Sequence, residues 1–154
     1  MKYSEFLLIA KSINVQFNVL PLLFGSLGLE RRLNVDLHAD DIDILLPEYY
    51  LRDGWQALKK LMEELGYELY DLHEHAFQKG EFSTAFASIE NLTPFAGVDV
   101  SQIPKMTDAG ASYLLLDLLD YQRVYEASSK DGYRVNKKEK RDHEKLTLIA
   151  QALK

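Results

Sequence analysis

The sequence predicts an α/β fold whose last third is helical. Two observations support this class. Helical periodicity and short strand-like runs alternate over the first two thirds of the chain, and helical periodicity dominates after residue 107. The length of 154 residues suits one compact unit. We therefore expect an α/β core over residues 1–106 and a helical segment over residues 107–154 that packs on it.

The first half of the chain alternates helices and strands. Its elements are bounded by polar capping residues, glycine or proline. In order, we expect a helix from Ser4 to Asn14, a strand over residues 19–24, a short helix after Ser26, a strand from Asp41 to Leu46 and a helix from Asp53 to Gly66. The helix after Asp53 has the clearest periodicity, since Gln56 completes a capping box with Asp53.

Three strands and two helices are expected in the second half. Alternation and flanking turn residues predict strands over residues 67–72, 82–89 and 98–100. Helical spacing then predicts a helix from residue 107 through Val124. The pair Asn136 and Glu139 has capping-box spacing and predicts the start of a final helix.

Composition excludes several classes of protein. With 18 basic and 24 acidic side chains the net charge is −6, which argues against a surface that holds long nucleic acid by phosphate neutralisation. The absence of cysteine excludes disulfides, thiolate metal sites and thiol nucleophiles. No apolar run approaches the roughly 20 residues that cross a bilayer. We expect a cytoplasmic protein. The apolar stretch with Tyr113, Tyr121 and Tyr125 in the helix from residue 107 most simply predicts core packing, with a homodimer interface or an acceptor pocket as the alternatives.

The segment from Phe24 to Leu46 carries the strongest chemical signal. Asp41 and Asp43 are two residues apart on an expected strand, so both carboxylates leave the same face. Adjacent carboxylates repel unless a cation neutralises them, and oxygen ligands of this kind suit Mg²⁺. The alternative is a solvated strand face. Upstream, Gly25 and Ser26 follow a buried strand and open a helix, where backbone N–H groups can bind phosphate.

Together these residues resemble the nucleotidyltransferase superfamily, with similarity to its small lincosamide-modifying members. The resemblance is carried by the Gly25-Ser26 turn and the acid-apolar pattern of residues 41–44, and it spans residues 19–101. It implies a mixed sheet flanked by helices. It also implies a third acid on a neighbouring strand, for which Asp99 is the first candidate and Glu90 the reserve.

The resemblance implies the transfer of a nucleoside monophosphate, most often AMP, from an NTP to an acceptor hydroxyl. Asp41, Asp43 and Asp99 would hold two Mg²⁺ ions, and Asp99 would take the hydroxyl proton. Gly25 and Ser26 would bind the β- and γ-phosphates. Arg31 or Arg32 would neutralise the triphosphate, with a solvated helix end as the alternative.

Several further possibilities remain open from sequence alone. The acceptor is not disclosed, and a catalytically silent member of the fold that binds a nucleotide or a protein partner is the alternative function. A cation from the C-terminal helix, where Lys137, Lys138, Lys140 and Arg141 cluster, is a second candidate for contact with the triphosphate. His73-Glu74-His75 is better explained as the polar end of a hairpin than as a metal site.

Overall fold

A computed structural model describes residues 1–130 and 139–154, except for the side chains of residues 130 and 139–142. This part of the chain forms six α-helices and one seven-stranded sheet. The helices are α1 (Lys2–Phe17), α2 (Gly25–Leu33), α3 (Trp55–Glu64), α4 (Leu92–Ala96), α5 (Leu118–Lys130) and α6 (Glu139–Leu153). Within the described ranges, no helix is both long and apolar enough to cross a membrane.

The sheet is mixed, which confirms the α/β class. Its strands are β1 (Leu22–Phe24), β2 (Ile42–Leu46), β3 (Glu68–Asp71), β4 (Ala76–Lys79), β5 (Phe82–Ser88), β6 (Lys105–Asp108) and β7 (Ala111–Leu114). Their order across the sheet is β3-β4-β5-β2-β1-β7-β6. Strand β2 is therefore central, antiparallel to β1 and parallel to β5.

The register of the three central strands decides which side chains meet. Phe24 on β1 and Ala85 on β5 both lie opposite Asp43 on β2. Directly paired residues project from the same face, so Phe24, Asp43 and Ala85 share one face of the sheet. Ile42 and Ile44 project from the other face and are fully buried. Burial of these two isoleucines fixes the register, since a slip by one residue would turn them towards Asp43's face.

Two expected elements differ from the structure. The strand over residues 98–100 is wrong, because Asp99 instead caps a short 3-10 helix that starts at Val100. The helix from residue 107 is wrong at its start, where β6 and β7 form a hairpin, with Ala109 and Gly110 at positive φ in its turn. That hairpin closes one edge of the sheet, since β7 pairs with β1.

The remaining elements agree more closely with expectation, with shifted ends. Helix α1 starts at Lys2 and continues to Phe17, one turn beyond the expected end. Strand β4 was not expected, and it completes a hairpin with β3. Strand β6 runs across the boundary expected between residues 106 and 107. The cap expected at Asn136 lies outside the described residues.

A polar cluster joins α1 to β4 beneath an otherwise apolar core. The Glu5 carboxylate is 8% exposed and accepts hydrogen bonds from the Tyr67 hydroxyl at 2.9 Å and the Lys79 ammonium at 2.6 Å. Lys79 also donates to the Leu65 carbonyl at 3.2 Å. A buried carboxylate is tolerated only when such partners replace the water it loses.

Replacing Lys79 by Met should destabilise the fold, because Glu5 then stays buried without its cation. We expect a loss of about 1–3 kcal/mol in the free energy of unfolding, measured by urea denaturation. Lys59→Met is the matched control: Lys59 forms an exposed pair with Glu63 at 3.9 Å, and its loss should cost below about 0.5 kcal/mol. Equal losses in the two variants would contradict a stabilising role for the buried cluster.

Candidate active site

A cavity of about 460 Å³ opens on the Asp43 face of the sheet. Its floor is formed by β2 and β5, and its far wall by side chains of α4, α5 and α6. Four residues expected from the sequence line it together: Gly25, Ser26, Asp41 and Asp43. The structure thus brings the glycine turn and both carboxylates of the acid pair to one concave surface.

Gly25 is held in close contact with Asp43. Its φ of 64° lies in the left-handed region, and a Cβ at this position would collide with the Asp43 carboxylate. The contact follows from the pairing of Phe24 with Asp43, which places the next residue of the chain beside that carboxylate. Glycine is therefore required here both for backbone conformation and for space. As a result, the N-terminus of α2 lies directly beside the Asp43 carboxylate of β2.

Tyr121 of α5 supports this turn from below. The side chain is fully buried, and its hydroxyl donates to the Gly25 carbonyl at 3.4 Å. The hydroxyl lies so close to Gly28 that a Cβ there would collide with it. Burial, followed by the neighbouring Tyr125, raises the pKa of Tyr121 well above its usual range. Its hydroxyl therefore remains a protonated donor at neutral pH.

Carboxylates dominate the polar lining of the cavity. Asp40 and Glu74 line it beside Asp41 and Asp43, while Lys145 of α6 contributes an ammonium group. Lys145 also lies 5.2 Å from the centre of the Tyr125 ring. Among the described residues, no group of three or more His, Cys, Asp or Glu side chains is arranged to hold a metal ion.

The donor set nevertheless fits Mg²⁺ carried by a nucleotide. Magnesium is usually held by one or two carboxylates together with water and substrate phosphates, and it does not require an all-protein cage. Asp41 and Asp43 provide two such carboxylates at the start of β2. They would hold the ion at the edge of the cavity nearest to the Gly25 turn.

The structure does not bring Arg31 and Arg32 to the cavity. Arg32 donates to the Leu116 carbonyl at 2.9 Å and to the Leu115 carbonyl at 3.1 Å. The Arg31 guanidinium lies 3.8 Å from the centre of the Tyr3 ring. The reason is helix geometry: both arginines occupy the last turn of α2, about 9 Å along the axis from Gly25.

Neither candidate for the third carboxylate lines the cavity. Asp99 accepts hydrogen bonds from the Ser101 amide at 3.1 Å and the Ser101 hydroxyl at 2.7 Å, which caps its own 3-10 helix. Glu90 accepts a hydrogen bond from the Glu48 amide at 2.9 Å. The strand that runs parallel beside β2 is β5, and the residues it presents next to Asp43 and Leu45 are Ala85 and Ala87. The sheet therefore supplies methyl groups where a third acid was expected.

Sequence reasoning missed Glu74 and Tyr121. Glu74 belongs to the turn between β3 and β4, where its amide donates to Asp71 at 3.2 Å; a polar turn residue gives no signal of the cavity it faces. Tyr121 stands in an apolar helical stretch for which core packing was the simplest prediction, with a dimer interface or an acceptor pocket as the alternatives. The cations at residues 137–141 lie outside the described side chains, but Lys145 agrees with the expectation of a C-terminal cation near the site.

The topology and this cavity define an α/β protein with a nucleotidyltransferase-like fold, which two solved structures share. The solution structure of the antibiotic-resistance factor ANT(2'')-Ia aligns with a TM-score of 0.53 at 17% identity, covering 100% of this chain and 86% of that one. The crystal structure of ANT(2'')-Ia in complex with adenylyl-2''-tobramycin aligns with a TM-score of 0.58 at 15% identity, covering 98% and 90%.

One protein is similar in sequence along the whole chain. The uncharacterized protein YnaI of Bacillus subtilis (strain 168) is 42% identical over 152 residues, which cover 99% of this chain and 97% of YnaI. The chain therefore belongs to the YnaI family. No protein-family model matches the sequence. The expected nucleotidyltransferase-like fold is confirmed, and the similarity to the lincosamide type remains a prediction.

Gly25→Ala should destabilise the protein more than a glycine replacement at a similar φ elsewhere. Gly80 is the matched control, since its φ is 56° and a Cβ there would meet nothing within 4 Å. Gly80→Ala should cost about 1 kcal/mol for left-handed backbone alone. Gly25→Ala adds the collision with Asp43 and should cost about 2 kcal/mol or more in urea denaturation. Equal costs would show that the Asp43 carboxylate does not press on this turn.

Proposed function

We propose that this protein transfers a nucleoside monophosphate, in the first instance AMP, from an NTP to a hydroxyl group of a small acceptor. The observation that carries the proposal is the convergence of Gly25, Ser26, Asp41 and Asp43 on one cavity. The nucleotidyltransferase-like fold supports it. A glycine turn alone or an acid pair alone would support the proposal weakly. The two features lining the same cavity support it more strongly.

Each side chain of the cavity has a part in this proposal. Asp41 and Asp43 would hold Mg²⁺, which supplies neutralisation of the triphosphate charge when bound. The backbone N–H groups that follow Gly25, with the Ser26 hydroxyl, would bind the β- and γ-phosphates at the positive end of α2. The apolar wall that includes Phe95 and Tyr125 would receive the base.

Glu74 takes the part expected for Asp99. The acceptor oxygen would form a bond to the α-phosphorus, the bond from that phosphorus to the bridging oxygen would break, and pyrophosphate would leave. The proton of the acceptor hydroxyl would pass to the Glu74 carboxylate, which lines the same cavity as the acid pair.

An aminoglycoside is the first acceptor to test. The ANT(2'')-Ia crystal structure contains adenylyl-2''-tobramycin, an aminoglycoside joined to the nucleotide at a hydroxyl position. The cavity of this protein supports a cationic acceptor, since Asp40 and Glu74 lie beside the two carboxylates assigned to the metal. Amino groups of the acceptor would pair with these acids.

A nucleotide-binding protein without transfer activity is the second candidate. The observation that favours it is the presence of Ala85 and Ala87 on the cavity face of β5, next to the acid-bearing strand. Magnesium-dependent nucleotide binding without pyrophosphate release, with every hydroxyl acceptor offered, would favour this candidate over transfer.

Thermal melting with each NTP, with and without Mg²⁺, tests the binding step. At a ligand concentration 100 times Kd the native state gains about 2.7 kcal/mol, which raises Tm by roughly 5–10 °C. We expect this shift only with Mg²⁺ present, and its loss in Asp41→Asn and Asp43→Asn. Asp99→Asn is the matched control and should keep the full shift, since Asp99 caps its own helix. A shift that persists in Asp43→Asn would contradict the assigned site.

Glu74→Gln separates chemistry from binding. Its amide keeps the shape of the side chain but cannot accept the hydroxyl proton, so we expect pyrophosphate release to fall about 10²-fold or more. The Mg²⁺-dependent melting shift with ATP should stay. Glu81→Gln, in the exposed turn between β4 and β5, should leave both measurements unchanged. Full transfer activity in Glu74→Gln would remove Glu74 from the mechanism.

A further inference from the structure

Helix α2 is held at its two ends by the chain segment that leads into α5 and by α5 itself. At its C-terminal end, Arg32 donates to the carbonyls of Leu115 and Leu116. At its N-terminal end, the Tyr121 hydroxyl donates to the Gly25 carbonyl at 3.4 Å. The two contacts fix both the tilt and the rotation of a nine-residue helix.

The Gly25 carbonyl belongs to the same planar peptide unit as the Ser26 N–H. A donor at that carbonyl fixes the orientation of the whole plane, and it polarises the N–H on the other side. The Ser26 N–H is among the donors of the first turn at the positive end of α2, and Ser26 lines the cavity. The contact made by Tyr121 is therefore transmitted to the group that would meet a phosphate.

Gly28 leaves the space that the Tyr121 hydroxyl occupies. Gly28 lies on the turn above the ring, where a Cβ would collide with the hydroxyl and come within 2.6 Å of the Leu23 carbonyl oxygen. The absence of a side chain at Gly28 is what allows the hydroxyl to reach under the first turn of α2. Gly28 and Tyr121 thus form a matched pair, a small residue and the hydroxyl that fills the space it leaves.

We infer that Tyr121 is a positioning residue that orients the Gly25–Ser26 peptide towards the phosphates of the nucleotide. This inference rests on the proposed function, and it assigns Tyr121 a part that neither the acid pair nor the metal performs. Tyr121 lines the cavity, and its hydroxyl contacts the backbone of the turn. Its effect should therefore depend on whether the ligand carries the β- and γ-phosphates.

Tyr121→Phe keeps the ring and removes the donor. In the presence of Mg²⁺, calorimetric titration should show binding of a non-hydrolysable ATP analogue weakened about three- to tenfold, the net effect of one hydrogen bond. AMP, which lacks the β- and γ-phosphates, should bind as it does to the wild type. Tyr113→Phe is the matched control, because the buried Tyr113 hydroxyl pairs with that of Tyr3 at 2.8 Å, away from the cavity.

A second readout needs no nucleotide. The α-helical pattern pairs the Gly25 carbonyl with the Leu29 N–H, so a loosened first turn should speed hydrogen exchange at Leu29. We expect faster exchange in Tyr121→Phe and Gly28→Ala, and wild-type exchange in Tyr113→Phe.

The outcomes separate the two proposals. Wild-type affinity for the ATP analogue in Tyr121→Phe, or equal losses for the analogue and AMP, would overturn the positioning role and leave the proposed function standing. If the wild type binds no nucleotide, the proposed function fails. Exchange at Leu29 then decides whether Tyr121 holds the turn, and unchanged exchange overturns that role as well.

Discussion

The close approach of Gly25 to Asp43 is the constraint on which the site depends. Antiparallel pairing places Phe24 opposite Asp43, so the chain must turn into α2 directly beside a carboxylate. Only a residue without a side chain, in a left-handed conformation, allows this turn. The same contact that limits Gly25 also brings the positive end of a helix next to an acid. The pairing of β1 with β2 thus determines both the backbone conformation at Gly25 and the position of the α2 N-terminus beside Asp43.

The helical segment expected over residues 107–154 contributes a strand to the sheet in addition to the helices that pack on it. Strand β7 extends the sheet beside β1, and the following segment is held by Arg32 before α5 begins. The ring of Tyr121 then enters the space beneath the first turn of α2. An arginine expected to meet a ligand is instead used to fix the helix that carries the turn. Its two hydrogen bonds satisfy backbone carbonyls that would otherwise lack a donor in a partly buried loop.

Local patterns predicted the elements whose residues carry their own signals. The turn at Gly25-Ser26 and the acid pair at Asp41 and Asp43 were predicted because a glycine, a helix start and period-two alternation are all visible within a short stretch. The hairpin of β6 and β7 was taken for helix because Tyr113 and Leu114 suit either period over so short a run. Tertiary pairing with β1 decides the outcome, and no local pattern contains that information.

Contacts between distant segments explain what sequence alone missed in the site. The neighbours of Asp99 favour a strand, but the strands that flank β2 are β1 and β5. Only the sheet order reveals that Ala85 of β5 lies next to Asp43. Glu74 reaches the cavity through the placement of a whole hairpin. Residue type and spacing can nominate an acid pair on one strand. They cannot nominate a partner whose position depends on how three strands and a turn are arranged.

The charge of the cavity sets a condition on what can enter it. In the described part of the chain its lining carries the carboxylates of Asp40, Asp41, Asp43 and Glu74 against the ammonium group of Lys145. A bare triphosphate would add negative charge to a site that already has an excess of it, and repulsion in a partly desolvated cavity is weakly screened. Under the proposed function, Mg²⁺ held by Asp41 and Asp43 would reduce this repulsion, and an acceptor with amino groups would reduce it next to Asp40 and Glu74. The excess of carboxylates therefore favours cations, and a nucleotide would enter this cavity more easily together with Mg²⁺ than without it.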